Sequence, residues 1–229
     1  YQVLARLTGL SPEAFQTALS PTALLPATGL IEIESTCVDL EDKLDTRRNL
    51  PSLLFTAHAN PEALMSCFLK RSPRRTLILS NFSHLNRDTA AAAGLLRAAL
   101  HNKIPGTNLL LYGPPGVGKT EYAGALAETV GADLYEVDYA DEDGDPIRGE
   151  GRLRAFNLGQ RLLAQRDNAL LLFDEVEDVF ERDPFAELFG GSGRGRAAGG
   201  KAWINRTLEN NPAPAIWITN DAESMNGAY

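Results

Sequence analysis

The feature that most constrains this chain is a glycine-rich segment of the form G-x-x-x-x-G-K-[ST], which follows the apolar run Leu109–Tyr112. Its residues are Gly113, Pro114, Pro115, Gly116, Val117, Gly118, Lys119 and Thr120. A stretch rich in alanine comes next and ends at Gly131. The pattern therefore predicts a buried strand, a phosphate-binding loop and a helix in succession. Glycine-rich turns before helices also occur by chance, but the strand and the helix on either side favour a nucleotide site.

This loop supplies the groups that a nucleoside triphosphate needs. Glycines let backbone N–H groups turn toward the β-phosphate, and the following helix adds the positive end of its dipole. Lys119 can reach the β- and γ-phosphates. The hydroxyl of Thr120 suits Mg²⁺, a hard cation that takes few protein oxygens when it is bound to a nucleotide. We predict that the nucleotide contacts extend from Gly113 to Glu121.

Two adjacent carboxylates end a second apolar run, Ala169–Phe173. The run is too short for a helix and is typical of a buried parallel strand. Asp174 would share the Mg²⁺ shell with Thr120, and Glu175 would polarise a water for attack on the γ-phosphate. The alternative is that the acidic pair merely begins the next helix, where negative charge is favoured.

A third apolar run, Ala215–Thr219, precedes Asn220. An amide can donate to the γ-phosphate and accept from water at once, so Asn220 is a candidate for orienting the attacking water. An ordinary polar turn after a strand is the alternative. Lys119, Glu175 and Asn220 are thus the predicted catalytic residues.

The three motifs in this order resemble the AAA+ ATPases, and the AAA group in particular, over residues 77–220. The glycine-rich loop corresponds to Walker A, Asp174-Glu175 to Walker B and Asn220 to sensor 1. The resemblance implies a P-loop NTPase fold, with a parallel sheet in a three-layer α/β/α domain, that binds ATP and Mg²⁺ and hydrolyses ATP. It also implies a homo-oligomeric ring, a hexamer, that pulls on or remodels a protein client.

The stretch that follows the second predicted strand also resembles this group. Gly149 and Glu150, followed by Arg154 and Phe156, are similar to the family's pattern at a shorter spacing. By position, Ile147 is nearest to the pore residue that grips substrate in AAA proteins. The low-complexity residues 190–200 would lie where a second pore-facing loop is expected.

Two further elements of the family are absent from this chain. The arginine finger, which acts on a neighbouring subunit's nucleotide, and the small helical lid would both follow Asn220. The chain also starts at Tyr1 without a methionine. We therefore expect a piece of a longer protein that hydrolyses ATP weakly by itself.

The first 76 residues carry no nucleotide motif and are typical of short helices. Ser11 and Pro12 predict a helix start, and the alternation over residues 30–34 predicts a short strand. The order suggests a winged-helix-like unit, and a plain helical bundle is the alternative. The polar segment Arg71–Arg75 predicts a boundary, which gives an accessory domain over residues 1–76 and an ATPase core over residues 77–229.

Composition argues against several classes of protein. The net charge is −8, and residues 1–76 hold eight basic and eight acidic side chains, which argues against a strong electrostatic grip on nucleic acid without excluding a local basic surface. Neither an apolar run of about 18 residues nor a charged-then-apolar amino end is visible, so neither a membrane span nor a signal peptide is expected. Its two cysteines, Cys37 and Cys67, lack metal-ligand spacing and favour a reduced, cytoplasmic setting.

A second functional hypothesis stays open at this point. The chain could be an ATP-switched helper protein that binds DNA through the helix-turn-helix-like unit. A kinase is disfavoured by Glu175. GTP specificity is disfavoured because Asn102-Lys103 precedes the loop and lacks the aspartate of a guanine-reading motif.

Overall fold

The computed structural model describes residues 6, 9–20, 23–28, 30–33, 44–46, 65–66, 68–73, 75–137, 150–177, 205 and 207–220. Contacts divide the chain into two compact units, Tyr1–Leu64 and Met65–Tyr229. No helix within the described ranges is both long and apolar enough to cross a bilayer.

The smaller unit contains two helices and a strand pair. Helix α1 (Pro12–Ala18) begins as the sequence predicts, because the Ser11 hydroxyl accepts a hydrogen bond from the Ala14 N–H at 3.1 Å. Helix α2 (Leu24–Ala27) leads to β1 (Ile31–Ile33), which pairs antiparallel with β2 (Leu44–Thr46). The first helix of the proposed helix-turn-helix lies outside the described residues except for Arg6, so the winged-helix interpretation stays a prediction.

The larger unit is built on a five-stranded sheet in the order β3-β5-β6-β7-β4. Its strands are β3 (Lys70–Arg71), β4 (Asn108–Tyr112), β5 (Asp133–Glu136), β6 (Ala169–Phe173) and β7 (Ala215–Thr219). A 3₁₀ helix (Leu79–Leu85), α3 (Asn86–Asn102), α4 (Lys119–Val130) and α5 (Glu150–Leu163) complete the described elements. Strands β4, β5, β6 and β7 run parallel to one another, whereas the edge strand β3 pairs antiparallel with β5.

Strand β6 shows why the larger unit has three layers. All five of its residues are buried, as expected for a parallel strand covered on both faces. Leu171 and Phe173 pack in one cluster with Phe156 of α5. Leu170 and Leu172 face the other way, into a cluster with residues of α3 and α4. The predicted α/β/α architecture with a mostly parallel sheet is confirmed.

The division between the two units falls before the polar segment Arg71–Arg75, not at residue 76. Arg71 belongs to β3 and so to the sheet. Arg75 donates to the Glu136 carboxylate at 2.6 Å and crosses α4 at Gly124, where a Cβ would lie 2.2 Å from Arg75 Cγ. Hydrogen bonding to the sheet and packing on α4 therefore hold Arg71 and Arg75 in the larger unit.

Candidate functional site

The glycine-rich loop connects β4 to α4 at the edge of the sheet where the parallel strands end. Three glycines have positive φ: Gly113 (+147°), Gly116 (+82°) and Gly118 (+87°). Residues with a Cβ adopt such angles rarely, which explains why the turn needs glycine at these places. Residues 114–117 are exposed. The loop thus lies open to a ligand in front of the first turn of α4, where helix N–H groups are free of helical partners.

Lys119 is held across the mouth of this loop. Its Nζ donates to the carbonyl oxygens of Gly113 at 2.8 Å and Pro114 at 2.9 Å. It also donates to the Asn220 side-chain oxygen at 2.9 Å. The glycine-rich loop and Asn220, which are about a hundred residues apart in the sequence, therefore both contact the Lys119 ammonium group.

Thr120 and Asp174 meet at the ends of neighbouring elements. The Thr120 hydroxyl donates to Asp174 Oδ2 at 2.8 Å, and Asp174 Oδ1 accepts from the Glu175 N–H at 2.9 Å. A hydroxyl and a carboxylate are both hard oxygen donors, and two such donors beside a phosphate loop fit Mg²⁺, which keeps several waters. The assignment of Thr120 and Asp174 as metal ligands stays a prediction.

Glu175 and Asn220 are both exposed at this edge of the sheet. Glu175 has φ of +52°, in the left-handed region that a residue with a side chain seldom occupies. The Asn220 N–H donates to the carboxylate of Glu177, a residue that sequence reasoning did not select. The only signal for Glu177 is its place three residues after Asp174 in an acidic run.

The side chain of Glu121 lies toward Arg75, 3.7 Å from its Nη1. Glu121 lies in the first turn of α4. Its role in nucleotide binding stays a prediction. Ile147 and residues 190–200, the predicted pore-facing positions, lie outside the described residues.

Arg152 is a second site residue that sequence reasoning missed. The pattern directed attention to Arg154, which is only partly buried, whereas Arg152 is 3% exposed and donates to the backbone carbonyls of Asp174 and Glu175. No motif marks it, because its contacts are to backbone atoms that any sequence supplies.

Comparison with known proteins identifies a family and several relatives of this chain. The family model of the "ATPase family associated with various cellular activities (AAA)" matches residues 109–228. The replication factor C large subunit of Archaeoglobus fulgidus is 35% identical in an alignment of 124 positions that covers 49% of this chain and 22% of that protein. The Lon protease of Azorhizobium caulinodans is 33% identical in an alignment of 96 positions that covers 38% of this chain and 11% of that protein.

Two solved structures are more distant. The structure of C. elegans PCH-2 has a TM-score of 0.41 at 19% identity, covering 62% of this chain and 39% of that one. The FIGL-1 AAA domain in complex with ADP has a TM-score of 0.46 at 14% identity, covering 76% and 59%.

The chain spans about a fifth of the length of the replication factor C large subunits that it matches. The family model covers more than half of the chain and includes the loop at Gly113, the Asp174-Glu175 pair and Asn220. The chain belongs to the AAA family of ATPases.

Proposed function

We propose that this chain binds Mg-ATP at the carboxyl edge of its sheet and hydrolyses it. The observation that carries the proposal is the convergence of three separate motifs: Lys119 contacts Asn220, and Thr120 contacts Asp174. Chance matches to short patterns have no reason to meet in space, whereas a phosphate-transfer site requires it.

Each side chain then has a role that follows from its chemistry. Lys119 neutralises charge on the β- and γ-phosphates, since an ammonium donates in three directions. Thr120 and Asp174 would hold the Mg²⁺, which would supply charge neutralisation and orientation of the phosphates. Glu175 accepts a proton from the attacking water, and Asn220 orients that water with its amide.

The wider role that we propose is a subunit of a homo-oligomeric ring, a hexamer, which remodels a protein client. Resemblance to the AAA group supports it, and the balanced charge of residues 1–76 counts against an electrostatic grip on DNA.

Glu175→Gln tests the hydrolytic site. Glutamine keeps the size and hydrogen bonding of the side chain but cannot accept a proton, so turnover should fall at least about 100-fold while ATP affinity is kept. Steady-state phosphate release and titration with a fluorescent ATP analogue measure the two quantities. Glu128→Gln, at an exposed position on α4, is the matched control and should leave both unchanged. Full turnover in Glu175→Gln would falsify the assignment.

The same assay tests the client class. A permanently unfolded polypeptide should stimulate turnover of the wild-type chain, and duplex DNA should not. Stimulation by DNA alone, weakening steeply with added salt, would favour the DNA-binding helper instead.

A further inference from the structure

Arg152 has an environment that its place in the sequence does not explain. Its guanidinium donates from Nη1 to the Glu175 carbonyl at 2.8 Å and from Nη2 to the Asp174 carbonyl at 2.5 Å. The guanidinium carbon also lies 4.3 Å from the centre of the Phe173 ring. One side chain of α5 thus contacts three consecutive residues at the end of β6.

Fold stability alone is a poor reason for this arginine. With only 3% of the residue exposed, the cation has lost most of its hydration, and its contacts must offset that loss before they stabilise the fold. It also lies in the first turn of α5, where the helix dipole disfavours positive charge. A well-packed apolar side chain would often be as stable there. What the guanidinium adds is a planar fork of donors, which fixes the orientation of its acceptors.

Those acceptors are the carbonyl oxygens of two consecutive peptide groups, the one that joins Asp174 to Glu175 and the one that joins Glu175 to Val176. Glu175 holds a φ of +52°, a conformation that persists only where surrounding contacts hold it. Its N–H donates to Asp174 Oδ1 at 2.9 Å, and its carbonyl accepts from Arg152. The left-handed backbone of Glu175 is therefore held at both ends, and φ sets the direction in which its carboxylate leaves the chain.

We propose that Arg152 is a positioning residue for ATP hydrolysis, which aims the carboxylate of Glu175 by holding the Asp174 and Glu175 carbonyls. This inference rests on the proposed function, because it concerns the same carboxylate. It assigns the arginine no contact with the nucleotide. Its removal should therefore change turnover and leave affinity nearly unchanged.

Arg152→Met tests the proposal, since methionine keeps much of the apolar stem and removes the fork. We expect turnover to fall about 100-fold, because a misplacement of about 1 Å can have that effect. The dissociation constant for a fluorescent ATP analogue should change by about threefold or less. Arg161→Met, at an exposed position near the end of α5, is the matched control and should leave both quantities unchanged.

A double-mutant cycle with Glu175→Gln tells whether the arginine acts through the glutamate. Without the carboxylate there is nothing to aim, so adding Arg152→Met should lower single-turnover hydrolysis only about threefold or less. A full further loss in that background would overturn the proposal, as would wild-type turnover in a folded Arg152→Met protein.

Arg152→Lys keeps the inference testable if the methionine variant does not fold. Lysine retains the charge but lacks the planar fork, so turnover should fall about tenfold with affinity kept. Wild-type turnover in the lysine variant would also overturn the proposal. Failure of the proposed function would give different results. Phosphate release by the wild-type chain would then not depend on Mg²⁺, or Glu175→Gln would release phosphate as fast as the wild type.

Discussion

The two edges of the same sheet treat their polar side chains in opposite ways. At the amino edge, defined by Thr107, Asn108 and Asn211, the amides are paired with protein partners and none of the three residues is exposed. Asn211 is 2% exposed; it donates to the carbonyls of Thr107 at 3.3 Å and Ala213 at 2.8 Å. Asn108 donates to the Leu208 carbonyl and accepts from the Trp217 indole, at 2.8 and 2.9 Å.

At the carboxyl edge, defined by Lys119, Thr120, Asp174, Glu175 and Asn220, the polar groups contact one another and stay accessible. Two of them, Glu175 and Asn220, are exposed, and the other three are partly buried. Closed polar networks contribute stability, whereas polar groups within reach of solvent can exchange their partners for a ligand. Hydrogen-bonded polar side chains alone therefore do not mark a functional site. The two edges differ in whether those side chains are exposed to solvent.

The largest expected effect breaks the carboxyl edge. Lys119→Ala removes the ammonium that we assign to the phosphates, so affinity for an ATP analogue should fall about 100-fold or more. The free energy of unfolding should change by only about 1 kcal/mol or less, because the side chain is not deeply buried. Fluorescence titration and urea unfolding measure the two quantities. Unchanged affinity in the variant would contradict the assignment of the loop.

The next effect breaks the amino edge. Asn211→Ala leaves the buried carbonyl of Ala213 without its amide donor, so the free energy of unfolding should fall by about 2 to 3 kcal/mol. ATP affinity of the folded variant should stay within about twofold, since the two edges share no partner. Asn102→Ala, at the exposed last residue of α3, is the control. A loss of affinity larger than the loss of stability would show that the edges are coupled.

The smallest expected effect concerns an exposed ion pair on the amino side of the sheet. The exposed pair Lys103–Asp167 has an N···O distance of 2.8 Å. The hydrogen bond and charge of Lys103 lower the pKa of Asp167 below its usual 3.8. A lowered folded-state pKa contributes stability above the unfolded value, and the contribution is lost as pH falls through the folded-state pKa.

Asp167→Asn should therefore lower the unfolding midpoint slightly at pH 7. The difference from wild type should begin to shrink as pH falls below the usual carboxyl pKa of 3.8 and should vanish once pH is below the lowered folded-state pKa of Asp167. It should also shrink with added salt. Thermal unfolding at two pH values and two salt concentrations checks this. A difference that persisted at low pH would mean that packing, not charge, is responsible.

Much of the carboxyl edge could be predicted because its motifs are local. Gly113 to Thr120 have a fixed spacing, and the apolar run before Asp174 names its strand. Strand β3 could not be predicted, because Lys70 and Arg71 are charged and a two-residue edge strand has no alternation. Arg152 escaped for a different reason: its partners are carbonyl groups brought close only by packing of α5 on β6.

The amino edge was invisible for the same reason. Asn108 and Asn211 are ordinary polar residues in sequence, and their contact joins positions more than a hundred residues apart. Such pairings depend on which strands become neighbours. Sheet order, with β7 between β6 and β4, was not deducible from the order of the apolar runs.

At Glu175 the backbone conformation and the side chain have opposite requirements, because a positive φ favours glycine and the proposed hydrolysis needs a carboxylate. Glycine would adopt that backbone without the penalty that a Cβ brings, so selection for stability alone would not keep a carboxylate there. On the proposed function the carboxylate is needed for hydrolysis, so an acidic side chain here would serve turnover although it lowers stability. A stabilising design that replaces Glu175 with glycine would be expected to lose turnover and gain heat resistance.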